Sequence, residues 1–264
     1  MSDLQELIDS FDFITEIACD LSQQFNGIQT ENRKRKISTY YLAKVVPECI
    51  SLLRVMPGSR YTSAEELFDF SSFCSISRSL IEAANLHWYY CIESTDTETS
   101  NFRFYLYDFH DLKTTIQICN FFGGEEKRLD PLQEKYNELK NTIKDNQLFK
   151  NLLPEVQRQI LKGRKCSDIN QSEISGNRRL NTDLFNSIYK ILSTNAHSTP
   201  SAISAIVHSR VHGKEYHEKL AALVLSYVAS FIADMVKTIG EIWCLEFAKH
   251  ESAEIIRFYS EDLS

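Results

Sequence analysis

FDFSSFCSISRSLIEAANLHWYYCI, residues 68–92, holds two charges after Asp69 in an otherwise uncharged, largely apolar run, Arg78 and Glu82. No other side chain between Asp69 and Glu93 carries a formal charge at neutral pH. The apolar spacing predicts a long helix that is buried over much of its surface. Arg78 and Glu82 stand four residues apart, so they share a helix face. A charge in such a setting is costly unless paired. The two residues are therefore either a structural ion pair or part of a polar site.

The rest of the chain reads as helix too. Its 264 residues contain only 8 Gly and 5 Pro, which is sparse punctuation for a sheet protein with many tight turns. Apolar residues recur at threes and fours from Leu4 to Phe25, where Gly27 ends the stretch. The basic link TENRKRK follows, then an apolar pattern from Tyr40 to Met56 that Pro47 should kink or split. Thr62 or Ser63 can cap the next helix, which should run to about Glu93. A helix with a dense aromatic face follows and stops at Gly123-Gly124. From Glu125 to Lys165 the chain is charge-rich, as one or two solvated helices broken before Pro154 would be. The polar stretch from Cys166 to Asn181 reads as a loop able to act as a lid. Helix resumes from Thr182 to His197, and Thr199-Pro200 suits a cap and first helical position. The longest helix should span Lys214 to about His250, with SAEIIRFYSEDLS adding a terminal turn or strand. The expected fold is all-α: a single helical domain over residues 1–264, a bundle of about eight or nine helices with a long apolar C-terminal helix.

Composition narrows the partners. A formal net charge of −7 argues against a broad duplex-binding surface, while a local basic groove stays open. The 7 cysteines show no C-x-x-C spacing and suit a reducing compartment. The acidic start MSDLQELIDSFDF is unlike a signal peptide. The longest uncharged apolar stretch, Leu220 to Ala233, is shorter than the roughly 20 residues of a membrane span. A cytoplasmic protein without a membrane partner is expected, and a homodimer through the last apolar helix is one arrangement. No Gly-rich phosphate loop, G-x-S-x-G elbow or H-E-x-x-H motif occurs, so no cofactor is expected.

A second polar pair with four-residue spacing, Ser193 and His197, lies in YKILSTNAHSTPSAI, residues 189–203. A histidine near a helix C-terminus can serve as acid, base or anion ligand, or can simply cap its helix. In the run His208, His212 and His217, the first two would share a helix face as a metal half-site does, though exposed histidines near a turn are the better reading. The basic clusters Arg33 to Lys36, Lys162 to Lys165 and Arg178-Arg179 read as solvated charge or as the border of an anion groove.

The Arg-x3-Glu of RSLIEA with the Tyr-x3-Ser-x3-His of YKILSTNAH resembles a widespread set of uncharacterised bacterial all-helical proteins. That set is HEPN-like in general build and is linked to phage defence and toxin roles. The matching positions are Arg78, Glu82, Tyr189, Ser193 and His197, and the resemblance covers roughly residues 35–250. It implies that Arg78, Glu82, Ser193 and His197 converge between helices as candidate catalytic residues. It implies in turn a protein that binds, and in one version cleaves, RNA or a nucleotide. If it is an enzyme, it is a metal-independent ribonuclease. The HEPN ribonucleases use an Arg and a His a few residues apart on one phosphate. Arg103 with His110, and Arg210 with His217, have similar spacing, but Phe104 and Val211 stand where that family places a polar residue. The alternative is a non-enzymatic helical interaction or sensor module that acts through protein partners.

Overall fold

A computed structural model describes residues 4–62, 68–123, 126–197, 199–212, 215–245, 250–261 and 263; the side chains of 126–128, 208–212 and 250 are outside that description. The described chain is all-helical, 81% helix with no strand. The elements are α1 (Leu4–Gln24), α2 (Arg33–Val55), α3 (Phe70–His87), α4 (Thr97–Phe121), α5 (Glu126–Asp145), α6 (Gln147–Lys150), α7 (Pro154–Leu161), α8 (Gln171–Asn177), α9 (Thr182–Ala196), α10 (Pro200–His212), α11 (Glu215–Trp243) and α12 (His250–Glu261). One π-helical turn, Trp88–Ile92, continues α3. By contacts the chain forms two compact units, Met1–Ile92 with Gln171–Ser264, and Glu93–Asn170.

The first unit is built around α11, which packs against α1, α2, α3 and α12. Val224, Leu225, Val228, Phe231, Ile232, Met235 and Ile239 of α11 are all buried. They meet Phe11 and Ile14 of α1, Leu52 and Leu53 of α2, and Phe73 and Leu80 of α3 in one apolar cluster. Each such side chain removed from water contributes roughly 1.5–3 kcal/mol. By length and composition α11 could cross a membrane, but 61% of its most apolar window is buried inside the protein.

α3 explains its own boundaries. Asp69 accepts a hydrogen bond from the Ser72 N–H at 3.1 Å and so caps the first turn. Phe70, Phe73, Cys74, Ser77, Leu80, Ile81 and Ala84 then fall on the buried side at helical spacing. The helix therefore starts at Phe70, later than the Thr62 or Ser63 cap predicts; Ser63 lies outside the described residues.

The second unit has its own core of Phe102, Leu106, Phe109, Ile143, Phe149 and Ile160, drawn from α4, α5, α6 and α7. Pro154 occupies the first turn of α7, where its missing N–H is harmless.

Four expectations need correction. Twelve helices occur among the described residues, because short helices and a terminal one occupy segments read as one or two solvated helices, a loop and a tail. The basic run Arg33–Lys36 is the first turn of α2, capped by the Asn32 side chain, and Pro47 sits within that one helix. The stretch Cys166 to Asn181 contains α8. The long apolar helix stops at Trp243, since Cys244 is left-handed (φ 55°) and the Leu245 N–H turns back to the Gly240 carbonyl at 2.9 Å.

Phe11 is fully buried, whereas Phe258 on α12 is 62% exposed. Phe11→Ala should lower unfolding stability by about 3–5 kcal/mol, and Phe258→Ala should change it by less than about 0.5 kcal/mol. Urea unfolding of the two variants side by side checks this assignment of the core.

Candidate functional site

One stripe of α3 presents Arg78, Glu82 and Asn85, at intervals of four and three residues. The Arg78 Nε donates to the Glu82 carboxylate at 2.8 Å. The Arg78 Nη2 donates to the Tyr189 hydroxyl at 2.9 Å, and that hydroxyl donates to the same Glu82 oxygen at 2.5 Å. Three groups thus close a triangle, and the guanidinium also lies 4.9 Å from the Tyr189 ring centroid. Burial first, and the Glu82 hydrogen bond second, push the Tyr189 hydroxyl up to about 12. It is a neutral donor at physiological pH. The Arg78 and Glu82 side chains remain 31% and 34% exposed. Among the described residues the Arg78 Nη1 makes no hydrogen bond.

The other two candidates stand elsewhere on α9. The Ser193 hydroxyl donates to the Tyr189 carbonyl at 2.7 Å, one turn back on its own helix. His197 is exposed and forms the C-cap of α9 in extended backbone. It makes no hydrogen bond with Arg78, Glu82 or Tyr189. Tyr189 to His197 spans eight residues, about 12 Å of axial rise. Tyr189, not His197, is what α9 brings to Arg78.

Arg103 and His110 both lie on α4. Arg103 pairs with Glu93 at 2.5 Å and is nearly buried. Burial lowers the proton affinity of His110, with Asp111 opposing. Of the histidine trio and the Arg210–His217 pair, the side chains of His208, Arg210 and His212 lie outside the described residues. His217 is buried against Phe70, its ring stacked 4.6 Å away. Among the described residues no group of His, Cys, Asp and Glu has the arrangement of a metal site.

A second polar cluster uses the far end of the same α3 stripe. Arg178, just past α8, has a side chain only 4% exposed. Its Nη2 donates to Asp234 of α11 at 2.7 Å, and its Nη1 donates to the side-chain amide oxygen (Oδ1) of Asn85 at 2.7 Å. Asn85 in turn donates to Gln171 at 2.9 Å and Ser175 at 3.2 Å. The guanidinium lies 4.7 Å from the Phe231 ring centroid. Burial lowers the proton affinity of Arg178, and Asp234 offsets that.

These contacts fix the helix directions. Arg178 precedes α9 and meets Asn85, while Tyr189 lies further along α9 and meets Arg78 and Glu82, earlier in α3. The two helices therefore run antiparallel.

Sequence reading missed Asn85, Arg178 and Asp234, and gave Tyr189 only as a motif position. A signal existed. Asp234 is the one formal charge between Lys219 and Lys237, so it demanded a partner by the same logic that singled out Arg78 and Glu82. Arg178 stood out only as half of the basic pair Arg178-Arg179, read as solvated charge or as the border of an anion groove, and nothing marked its side chain as buried.

His87, two residues past Asn85, is buried, and its Nε2 has no hydrogen-bond partner among the described residues. Burial first, and Arg178 second, push it down to about 3. The unfolded chain, with a pKa near 6.5, binds a proton that the fold excludes. The stabilisation is complete above about pH 6.5 and falls as the pH drops toward 3. His87→Met should remove this acid sensitivity. Between pH 6.5 and 5 the native protein should lose about 2 kcal/mol more than the variant, measured by urea unfolding at both values. Comparison of the chain with protein-family models, curated proteins and solved structures finds no match.

Proposed function

We propose that the chain is a HEPN-like helical protein of the bacterial, defence-associated kind, which binds RNA or a nucleotide through a phosphate at Arg78. The single observation that supports this reading is the state of Arg78. Two of its nitrogens are fixed, by Glu82 and Tyr189, while Nη1 is open and the side chain is 31% exposed. A guanidinium held in one orientation with donors to spare suits the planar recognition of a phosphate. The neighbouring carboxylate offsets its charge, so affinity rests on geometry and should be modest. Binding without cleavage is the form that fits best. A metal-independent ribonuclease needs a histidine on the same phosphate, and the C-cap position of His197 puts it about two turns along α9 from Tyr189.

A second reading, a non-enzymatic interaction or sensor module working through protein partners, has its own support. Glu82 already neutralises Arg78, and the Ser193 hydroxyl is taken up by the Tyr189 carbonyl. On that reading Arg78 only fastens α3 to α9.

Fluorescence anisotropy with a labelled single-stranded RNA, and calorimetry with nucleotides, separate the two. The native protein should bind one of these probes. Arg78→Ala should weaken binding at least tenfold, and Arg78→Lys, which keeps the charge but loses the fork, several-fold. The ion pair is partly exposed, so both variants should lose no more than about 1 kcal/mol of stability. Native-like binding by both variants, or no binding by the native protein, supports the second reading.

A further inference from the structure

We propose that Arg178 is a positioning residue for the Arg78 site: its clamp on Asn85 and Asp234 sets where Tyr189 meets Arg78 and Glu82. The ligand-binding consequence rests on the reading of Arg78 given above; the positioning itself does not.

The chain between the clamp and α9 has no slack. Arg178 is separated from Asn181, the N-cap of α9, by only Arg179 and Leu180. Both are locked by backbone bonds to α8: Arg179 N–H to the Gly176 carbonyl at 2.9 Å and Leu180 N–H to the Ser175 carbonyl at 3.0 Å. Asn181 then caps α9 through the Leu184 N–H at 3.0 Å. From there α9 is a continuous helix to Tyr189 and beyond. A shift of Arg178 is thus a shift of Tyr189.

On α3 the two contact points, Asn85 and Arg78, are seven residues apart, about 10 Å along the helix. The buried guanidinium holds the pair of helices at Asn85, and the Tyr189 triangle closes it at Arg78 and Glu82. Asp234, on α11, makes the clamp external to the α3–α9 pair. Apolar packing of Phe185, Ile188 and Leu192 tolerates some sliding of α9, whereas a doubly held guanidinium has one geometry.

The test uses the full chain with 13C-labelled tyrosine. The Tyr189 ring resonance is assigned with Tyr189→Phe, and the position it takes without its acceptor is read from Glu82→Met. Removing one partner of a pair that contains a buried charge risks unfolding, so the clamp is deleted as a unit, with Arg178→Met and Asp234→Leu together. The double variant should fold, with a thermal midpoint near the native value, and its Tyr189 resonance should move toward the Glu82→Met position. Its affinity for the single-stranded RNA or nucleotide probe should fall about tenfold. Asn85→Ala, which leaves the Arg178–Asp234 pair intact, should give a smaller displacement and covers the case in which the double variant does not fold. An unmoved Tyr189 resonance in a folded double variant, or in Asn85→Ala if the double variant fails to fold, overturns the proposal. If Arg78→Ala binds like the native protein while the resonance moves as expected, the site reading fails and the positioning role stands.

Discussion

A guanidinium cannot give up its proton in a protein, so burying Arg178 forces the rest of the first unit to meet its demands. Removing such a charge from water costs several kcal/mol before any compensation. Asp234 supplies the opposite charge, Asn85 its side-chain amide oxygen, and Phe231 an aromatic face. These come from α3 and α11, two helices far apart in sequence. Apolar packing alone holds helices together over a range of offsets. The Arg178 cluster selects one of them, and Asn85 is itself held by Gln171 and Ser175, so the short α8 is stitched into the same network.

The Arg78 triangle depends on that selection. Its three groups are individually ordinary: a partly exposed ion pair contributes little to stability. What distinguishes it is a tyrosine delivered from another helix, with one hydroxyl accepting from Arg78 and donating to Glu82. That arrangement is directional, and it leaves one end of the arginine open. It is the feature that supports anion recognition over a purely structural pair. The histidine that the RNA-cleaving version requires is displaced along α9 by the geometry of the helix itself.

How far the sequence told this story follows from which signals are local. Helical periodicity is local, and α1, α9 and the bulk of α2, α3, α4 and α11 stand close to where the apolar pattern puts them. The short helices α6, α7 and α8 are too brief to show a period, and the count suffered accordingly. The end of α11 turns on Cys244 adopting a left-handed backbone, which Gly would have advertised and Cys does not. At the site, isolated charge in an apolar run was the informative signal. It found Arg78 and Glu82, and applied evenly it would have flagged Asp234. It could not find Arg178, whose polar neighbours hide it, nor choose Tyr189 over His197, since both stand in one four-residue spacing in the sequence. Only the tertiary pairing of α9 with α3 decides between them.

The central claim is that the buried Arg178 and its partly exposed partner Asp234 act as one unit that fixes this register. A double-mutant cycle with Arg178→Met, Asp234→Leu and the pair, followed by urea unfolding, measures it directly. Each single variant should destabilise by about 3–5 kcal/mol, because each leaves a buried charge or its partners uncompensated, and the double variant should recover most of that loss. The cycle should therefore return a coupling of at least about 5 kcal/mol, two losses of about 3 or more less a residual of about 1. Losses that add to within about 0.5 kcal/mol would contradict the account, because two independent surface charges behave that way.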